Sequence, residues 1–265
     1  MKAILAFLAA MGILFSIQMI EPALTEISEG ETIDIGTMGP GQTIELQLFP
    51  KVYEGGINGI GGNYDLAYAA NLPAGWSSKQ SKLYGNPLQV TITADPYTEV
   101  GTYLIPIVVE DEGNGEGLGK VRFYARIEVS EDVMDFSVSP LSRKVGIGQP
   151  ARFEITINNK GNAGDTFRVS SSGVPKWEFT KMVYVPPKGS KTILYEVAGF
   201  EEETYSSMII VQSSAAPRVG VSASISLQVY PDLLSDYKAV NNGALLFPVI
   251  EAPVYSLIGF LSNFW

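Results

Sequence analysis

Apolar and polar residues alternate in short runs along most of this chain. In Ala151-Arg152-Phe153-Glu154-Ile155-Thr156-Ile157, every second residue is apolar and those between are polar. A period of two with one apolar face marks a strand lying half-buried on a core. The alternation returns in Thr43-Ile44-Glu45-Leu46-Gln47-Leu48 and in Pro87-Leu88-Gln89-Val90-Thr91-Ile92-Thr93. Strands are also predicted over residues 101–109, 121–129 and 192–197. Pro106 brings no N–H to a ladder, so it points to an edge or a bulge. Between these runs lie Pro40-Gly41, Gly148-Gln149-Pro150 and Asn158-Asn159-Lys160-Gly161-Asn162. Gly and Asn accept left-handed backbone angles cheaply, which makes these stretches turns. Residues 55–62 are a Gly-rich loop, and residues 110–119 an acidic, Gly-rich hairpin loop.

The strands fall into two sets that read as copies of one unit. Gly41-Gln42 corresponds to Gly148-Gln149, and Leu72-Pro73-Ala74-Gly75-Trp76 to Val174-Pro175-Lys176-Trp177. Thr102-Tyr103 corresponds to Thr204-Tyr205, and Ala125-Arg126-Ile127-Glu128-Val129 to Ser226-Leu227-Gln228-Val229. The offsets are about one hundred residues, the size of an immunoglobulin-like sandwich. The expected fold is therefore all-β. It has two tandem immunoglobulin-like β-sandwiches over residues 31–130 and 133–230, with Glu131 and Asp132 at the junction.

The Gly-Gln turn, the Asn-Lys-Gly-Asn turn, the Pro-x-Trp segment and Pro186-Pro187-Lys188-Gly189-Ser190 before Thr192 together carry a resemblance. They look like the sandwich repeats of archaeal and bacterial surface proteins, of the alpha-galactosidase-associated or NPCBM-associated type. The resemblance is good over residues 135–229 and looser over 33–129, where the loop 55–62 replaces a short Asn-Gly turn. It implies an extracytoplasmic β-sandwich, commonly tethered to a membrane. That family pattern carries no catalytic residue.

The two ends of the chain break the alternation. Lys2 precedes an apolar run over residues 3–20, interrupted by Gly12, Ser16 and Gln18. A basic start followed by an apolar stretch is the order of a secretory signal or signal anchor. No good small-x-small cleavage site follows Phe15, and about 18 residues just suffice to span a bilayer, which favours an N-terminal apolar anchor helix over residues 1–20. Residues 243–265 are again strongly apolar, with Glu251 their one charge and prolines at 248 and 253. A lone span avoids a carboxylate and paired prolines, because lipid has no partner for the charge or the freed backbone. This tail is expected to dock on the membrane or on a membrane subunit, through Phe247, Glu251, Leu257, Phe260 and Trp265.

Composition narrows the chemistry. The 265 residues include no cysteine and no histidine, so thiolate sites, disulfides and the commonest general base are all missing. The net charge is −10, with 18 basic residues thinly spread, which excludes a nucleic-acid binder relying on clustered Lys and Arg. Ser235 and Lys238 have Ser-x-x-Lys spacing but lie in a linker, where a helix would be needed to bring them together. Glu110, Asp111, Glu112, Asn114 and Glu116 form a weak Ca²⁺ candidate without the EF-hand spacing, and otherwise make a polar hairpin tip. Trp76 and Trp177 could stack on sugar rings, but each follows a proline at the same place in its repeat, which suits packing. Tyr53, Tyr64, Tyr68, Tyr84 and Tyr97 would favour a binding surface wherever they are exposed.

No cofactor is implied. The expectation is a non-catalytic accessory or scaffold subunit on the outer face of a cell membrane, working through contacts with integral membrane proteins. The alternative is a carbohydrate- or envelope-binding module.

Overall fold

The computed structural model describes residues 16–174 and 176–231. Among them the regular structure is all strand, apart from one 3₁₀ turn at Glu112–Asn114. The alternation decides which side of each strand is enclosed. Along Ala151–Asn159, Ala151, Phe153, Ile155 and Ile157 are buried while Arg152 and Glu154 face solvent. Arg152 then pairs with Glu196 on the neighbouring strand at 2.5 Å. Along Thr43–Phe49 the inward residues are Ile44, Leu46 and Leu48.

Two pairs of sheets result. In the first sandwich one sheet runs Thr25–Ile27, Ile17–Glu21, Thr43–Phe49, Leu88–Thr93, Ser77–Lys79. The facing sheet runs Thr32–Met38, Lys120–Val129, Gly101–Glu110, Leu66–Ala69, and its first pair is parallel. Pairing with Leu66–Ala69 begins at Ile107, so Pro106 sits where that partner strand ends and its missing N–H is tolerated. In the second sandwich Met134–Ser139, Ala151–Asn159 and Ser190–Val197 face a sheet ordered Ser142–Gly146, Gly220–Tyr230, Thr204–Ser213, Asp165–Ser172, Thr180–Val185. In both units the last strand lies parallel to an early one and antiparallel to the penultimate one. These are two immunoglobulin-like sandwiches. The first also carries the edge strand Thr25–Ile27 and a small ribbon of Lys51–Val52 with Gly62–Asn63, and the two differ in one connection. Ser77–Lys79 joins the sheet of Thr43–Phe49, whereas its counterpart Thr180–Val185 stays beside Asp165–Ser172.

Each sandwich has its own apolar core, centred on Phe123, Ile107 and Leu46 in the first and on Phe153 and Phe167 in the second. Ile17 and Met19 are fully buried in the first core, on a strand paired with both Thr25–Ile27 and Thr43–Phe49. This corrects the reading of residues 1–20 as one apolar helix and of residue 31 as the start of the first sandwich. Ile17-Gln18-Met19 alternates, so the same residues that extend an apolar run also supply the inward face of a strand. The rest of the anchor expectation, and the tail at 243–265 with Phe247, Glu251, Leu257, Phe260 and Trp265, lie outside the described residues. So do Ser235 and Lys238.

Candidate functional site

The junction between the sandwiches is built from a turn. Gly41 adopts φ +77°, and the N–H of Gln42 closes the turn on the carbonyl of Gly39 at 3.1 Å. This aims the Gln42 side chain across the boundary. Gln42 is fully buried; its Oε1 accepts from the Gly39 N–H at 2.7 Å, and its Nε2 donates to Asp165 Oδ2 at 2.7 Å. Asp165, 4% exposed, also accepts from the Ser213 hydroxyl at 2.5 Å and from the Thr166 N–H at 2.6 Å. Ser213 Oγ in turn accepts from the Ala216 N–H at 2.8 Å. A buried carboxylate is stable only when donors surround it, and here they come from both units.

A second contact lies alongside. Asn162 donates its N–H to the Thr37 carbonyl at 2.6 Å, and its Oδ1 accepts from the Thr37 N–H at 3.1 Å. A side chain on Gly36 would put its Cβ 2.3 Å from that Oδ1, and one on Gly41 would lie 2.0 Å from the Ala215 carbonyl oxygen. Ala163 packs into the first core from the second unit. Lys160 reaches Asp132 and Asp135 at 2.5 and 3.1 Å, which holds its ammonium above the usual lysine range, mainly through the bond to Asp132. Arg218 lies 3.8 Å from Glu131 and 5.9 Å from the Tyr97 ring. Glu131 and Asp132 are thus bridged to the second sandwich. The chemistry available at this junction is attachment: the buried polar groups of Gln42, Asp165 and Ser213 are donors and acceptors in use, while the Thr98 hydroxyl beside Tyr97 is buried without a partner.

The opposite end of the first sandwich is different. Its hairpin loop folds around Asp111, whose Oδ2 accepts from the N–H groups of Glu116 and Leu118 at 2.9 and 3.1 Å. Asn114 Oδ1 accepts from Gly119 N–H, and Glu110 pairs with Lys120 at 2.5 Å. The Ca²⁺ candidate is therefore corrected. Among the described residues no group of three or more His, Cys, Asp or Glu side chains is placed to hold a metal; Asp111 and Asn114 bond within the loop, while Glu112 and Glu116 face solvent. Asp111 Oδ1 and the Tyr64 hydroxyl are nonetheless buried without partners. Burial, then the charges of Glu29 and Asp111, pushes the Tyr64 phenol up to about 12. Burial, followed by the charge of Asp111, raises the carboxyl of Asp65 as well.

The aromatic candidates divide. Trp76 is 8% exposed and lies against Tyr103, with ring centroids 5.1 Å apart. It has no free face for a sugar, so of the two readings of this residue the stacking one is set aside and the packing one, which its place in the repeat favoured, stands. Trp177 is half-buried against the second core, and its carbonyl accepts from the Tyr195 hydroxyl at 3.0 Å. The N–H groups of Trp76 and Trp177 both close turns at 3.1 Å, onto the carbonyls of Pro73 and Val174. Tyr64 is enclosed and Tyr68 half-buried, whereas Tyr53, Tyr84 and Tyr97 are exposed. They do not form one surface: Tyr97 is at the junction, and Tyr53 and Tyr84 are at the far end. Two residues there had no sequence signal beyond their glycine-rich loop. Ile57 and Ile60 are 72% and 77% exposed.

No family model matches the sequence, and no curated protein resembles it significantly. Among solved structures the chain is similar to the CARDB domain of the PF1109 protein from Pyrococcus furiosus, in complex with di-metal ions. The identity is 17%, over 37% of this chain and 90% of that one, with a TM-score of 0.30. It is similar to a chimeric titin Z1Z2 at 11% identity, over 83% of this chain and 99% of that one, with a TM-score of 0.38. A third likeness is to a β-glucosidase from Listeria innocua in complex with glucose: 13% identity, 37% of this chain, 16% of that one, TM-score 0.27. With TM-scores this low, none of the three bears on function.

Proposed function

We propose that this protein is a non-catalytic structural subunit on the outer face of a cell membrane, a strut of two sandwiches acting through protein–protein contacts. The observation that carries the reading is the buried Gln42–Asp165–Ser213 network. Independent modules on a flexible linker have no need to bury a shared carboxylate, whereas a strut must resist bending at its one joint. The register also favours a strut. Ile17–Glu21 enters the fold beside Phe49, away from the junction, and Gly220–Tyr230 leaves at the far end of the second sandwich. At roughly 3.3 Å per strand residue, each sandwich is about 30 Å long, so the apolar segments leave from well-separated points. The kinship with surface-protein repeats of the alpha-galactosidase-associated type belongs to this reading.

In this proposal residues 243–265 pack against an integral membrane subunit. Glu251 meets a basic or polar group there, and Phe247, Leu257, Phe260 and Trp265 supply apolar contact. Purification of the full chain from native membranes, with and without residues 243–265, tests it. The intact chain is expected to bring a membrane partner, and the truncated chain to lose it while staying folded. An unchanged partner set in the truncated chain, or an intact chain recovered alone, would overturn the reading.

A further inference from the structure

Building on the membrane-facing reading, we propose that the far end of the first sandwich is a bilayer-contacting tip. Tyr53, Ile57, Ile60 and Tyr84 enter the headgroup region of the outer leaflet beside the point where the N-terminal segment joins the fold. These four side chains are 70%, 72%, 77% and 73% exposed. They stand on a built scaffold. Gly55, Gly56, Gly59 and Gly61 all have positive φ, and Gly61 donates its N–H to Gly55 at 2.9 Å. The Ile57 N–H binds the Glu116 carbonyl at 2.9 Å, which braces the loop on the neighbouring hairpin loop. Tyr84 is held at φ +58° by its own N–H bond to the Asp65 carbonyl at 2.9 Å. A side chain on Gly61 would put its Cβ 2.0 Å from the Val52 carbonyl oxygen, so the loop tolerates little rearrangement. Large apolar residues displayed on such a frame mark a contact surface.

The occupant follows from where the chain runs. Ser16 lines one cleft with Tyr53 and Glu54, so whatever holds the preceding residues holds them beside this tip. Residues 3–15 carry no charge. Tyrosine suits the headgroup level and isoleucine the edge of the hydrocarbon. The rim carries more carboxylates than ammoniums: Glu54, Glu112 and Glu116 are exposed, beside Lys82 and Lys51, whose ammonium lies 4.9 Å from the Tyr53 ring. Carboxylates are repelled by anionic lipid, so the tip fits a zwitterionic surface better.

The chain contains no cysteine, which makes single labelling sites clean. Full-length Ile57→Cys and Ile60→Cys, with Leu194→Cys on the second sandwich as control, would each carry an environment-sensitive fluorophore. They would be reconstituted into phosphatidylcholine vesicles, after circular dichroism had confirmed an unchanged β spectrum. Positions 57 and 60 are expected to shift to the blue and to lose at least half of their quenching by aqueous iodide, while 194 does neither. Replacing half the lipid with phosphatidylglycerol should reduce that protection. If the protein floats with the vesicles but 57 and 60 stay as quenchable as 194, the tip proposal is wrong and the membrane reading stands. Protection seen in native membranes but not in pure lipid would assign the tip to a protein partner instead. If the protein does not float at all, the membrane reading itself fails and takes the tip with it.

Discussion

Two turns that are equivalent in the repeats have opposite fates. Gly41-Gln42 and Gly148-Gln149 have the same local geometry: glycine at φ +77° and +71°, and a glutamine N–H closing on a carbonyl three residues back at 3.1 Å. Gly41 is pressed against Ala215, and Gln42 is buried and bound to Asp165. Nothing lies within 4 Å of a Cβ at Gly148, and Gln149 is half-exposed at the free end of the second sandwich. The turn is one device, and only its surroundings make it a joint. The two ends of the first sandwich carry the same lesson. At the junction the polar groups of Gln42, Asp165 and Ser213 are paired, whereas at the far end Tyr64 and Asp111 keep unpartnered atoms and four large side chains face outward.

The sharpest way to break the comparison is to give both glycines a methyl group. Gly148→Ala should lose about 1 kcal/mol, the cost of a left-handed backbone for an alanine. Gly41→Ala meets that cost and a backbone clash, and should lose about 3 kcal/mol or more. Calorimetric melts of the two variants decide it; equal losses would mean the junction adds nothing to the turn.

A smaller effect is expected at the glutamines and their partner. Asp165→Ala strands the Gln42 amide and the Ser213 hydroxyl and should lose about 2–3 kcal/mol. Gln149→Ala, with no such partner, should stay within about 0.5 kcal/mol of the parent. A double-mutant cycle on Gln42→Ala and Asp165→Ala should return a coupling of about 1 kcal/mol or more, and a cycle that sums to zero would remove the buried bond as the clasp.

At the far end the sign reverses. Tyr64→Phe removes a buried hydroxyl that has no partner, so it should gain about 1 kcal/mol at neutral pH. The phenol is raised from 10.0 to about 12, so the fold favours its neutral form. In the unfolded chain it ionises from pH 10 upward, and its contribution is complete below pH 10 and lost as pH rises toward 12. Parent and variant should therefore diverge further across that alkaline window, which denaturant melts at pH 9 and pH 11.5 would reveal.

Part of this architecture is legible in the sequence. Period-two alternation identifies Ala151–Asn159 and Thr43–Phe49 as half-buried strands because a strand's two faces are set by its own geometry. The first strand was not legible. Ile17, Met19 and Ile20 continue an apolar run, and hydropathy cannot tell the inside of a sandwich from the inside of a bilayer. Of the site candidates, Trp76 is enclosed in the first sandwich, as its recurrence with the repeat suggested, whereas Trp177 is only half-buried against the second core. The acidic loop offered oxygens in sequence, but Asp111 and Asn114 turn them onto their own backbone.

The sequence alone determined the class: short alternating strands, turns at Gly and Asn, two copies of one unit, and no histidine or cysteine for the usual chemistry. These are local properties, set within a few residues by backbone geometry and side-chain type. The tertiary structure decided which copy of a shared turn became the joint. It also decided that Asp165 is a clasp and not a surface charge, and that Ile57 and Ile60 stand in solvent. Each depends on groups more than fifty residues apart meeting or failing to meet, and sequence spacing holds no record of that contact.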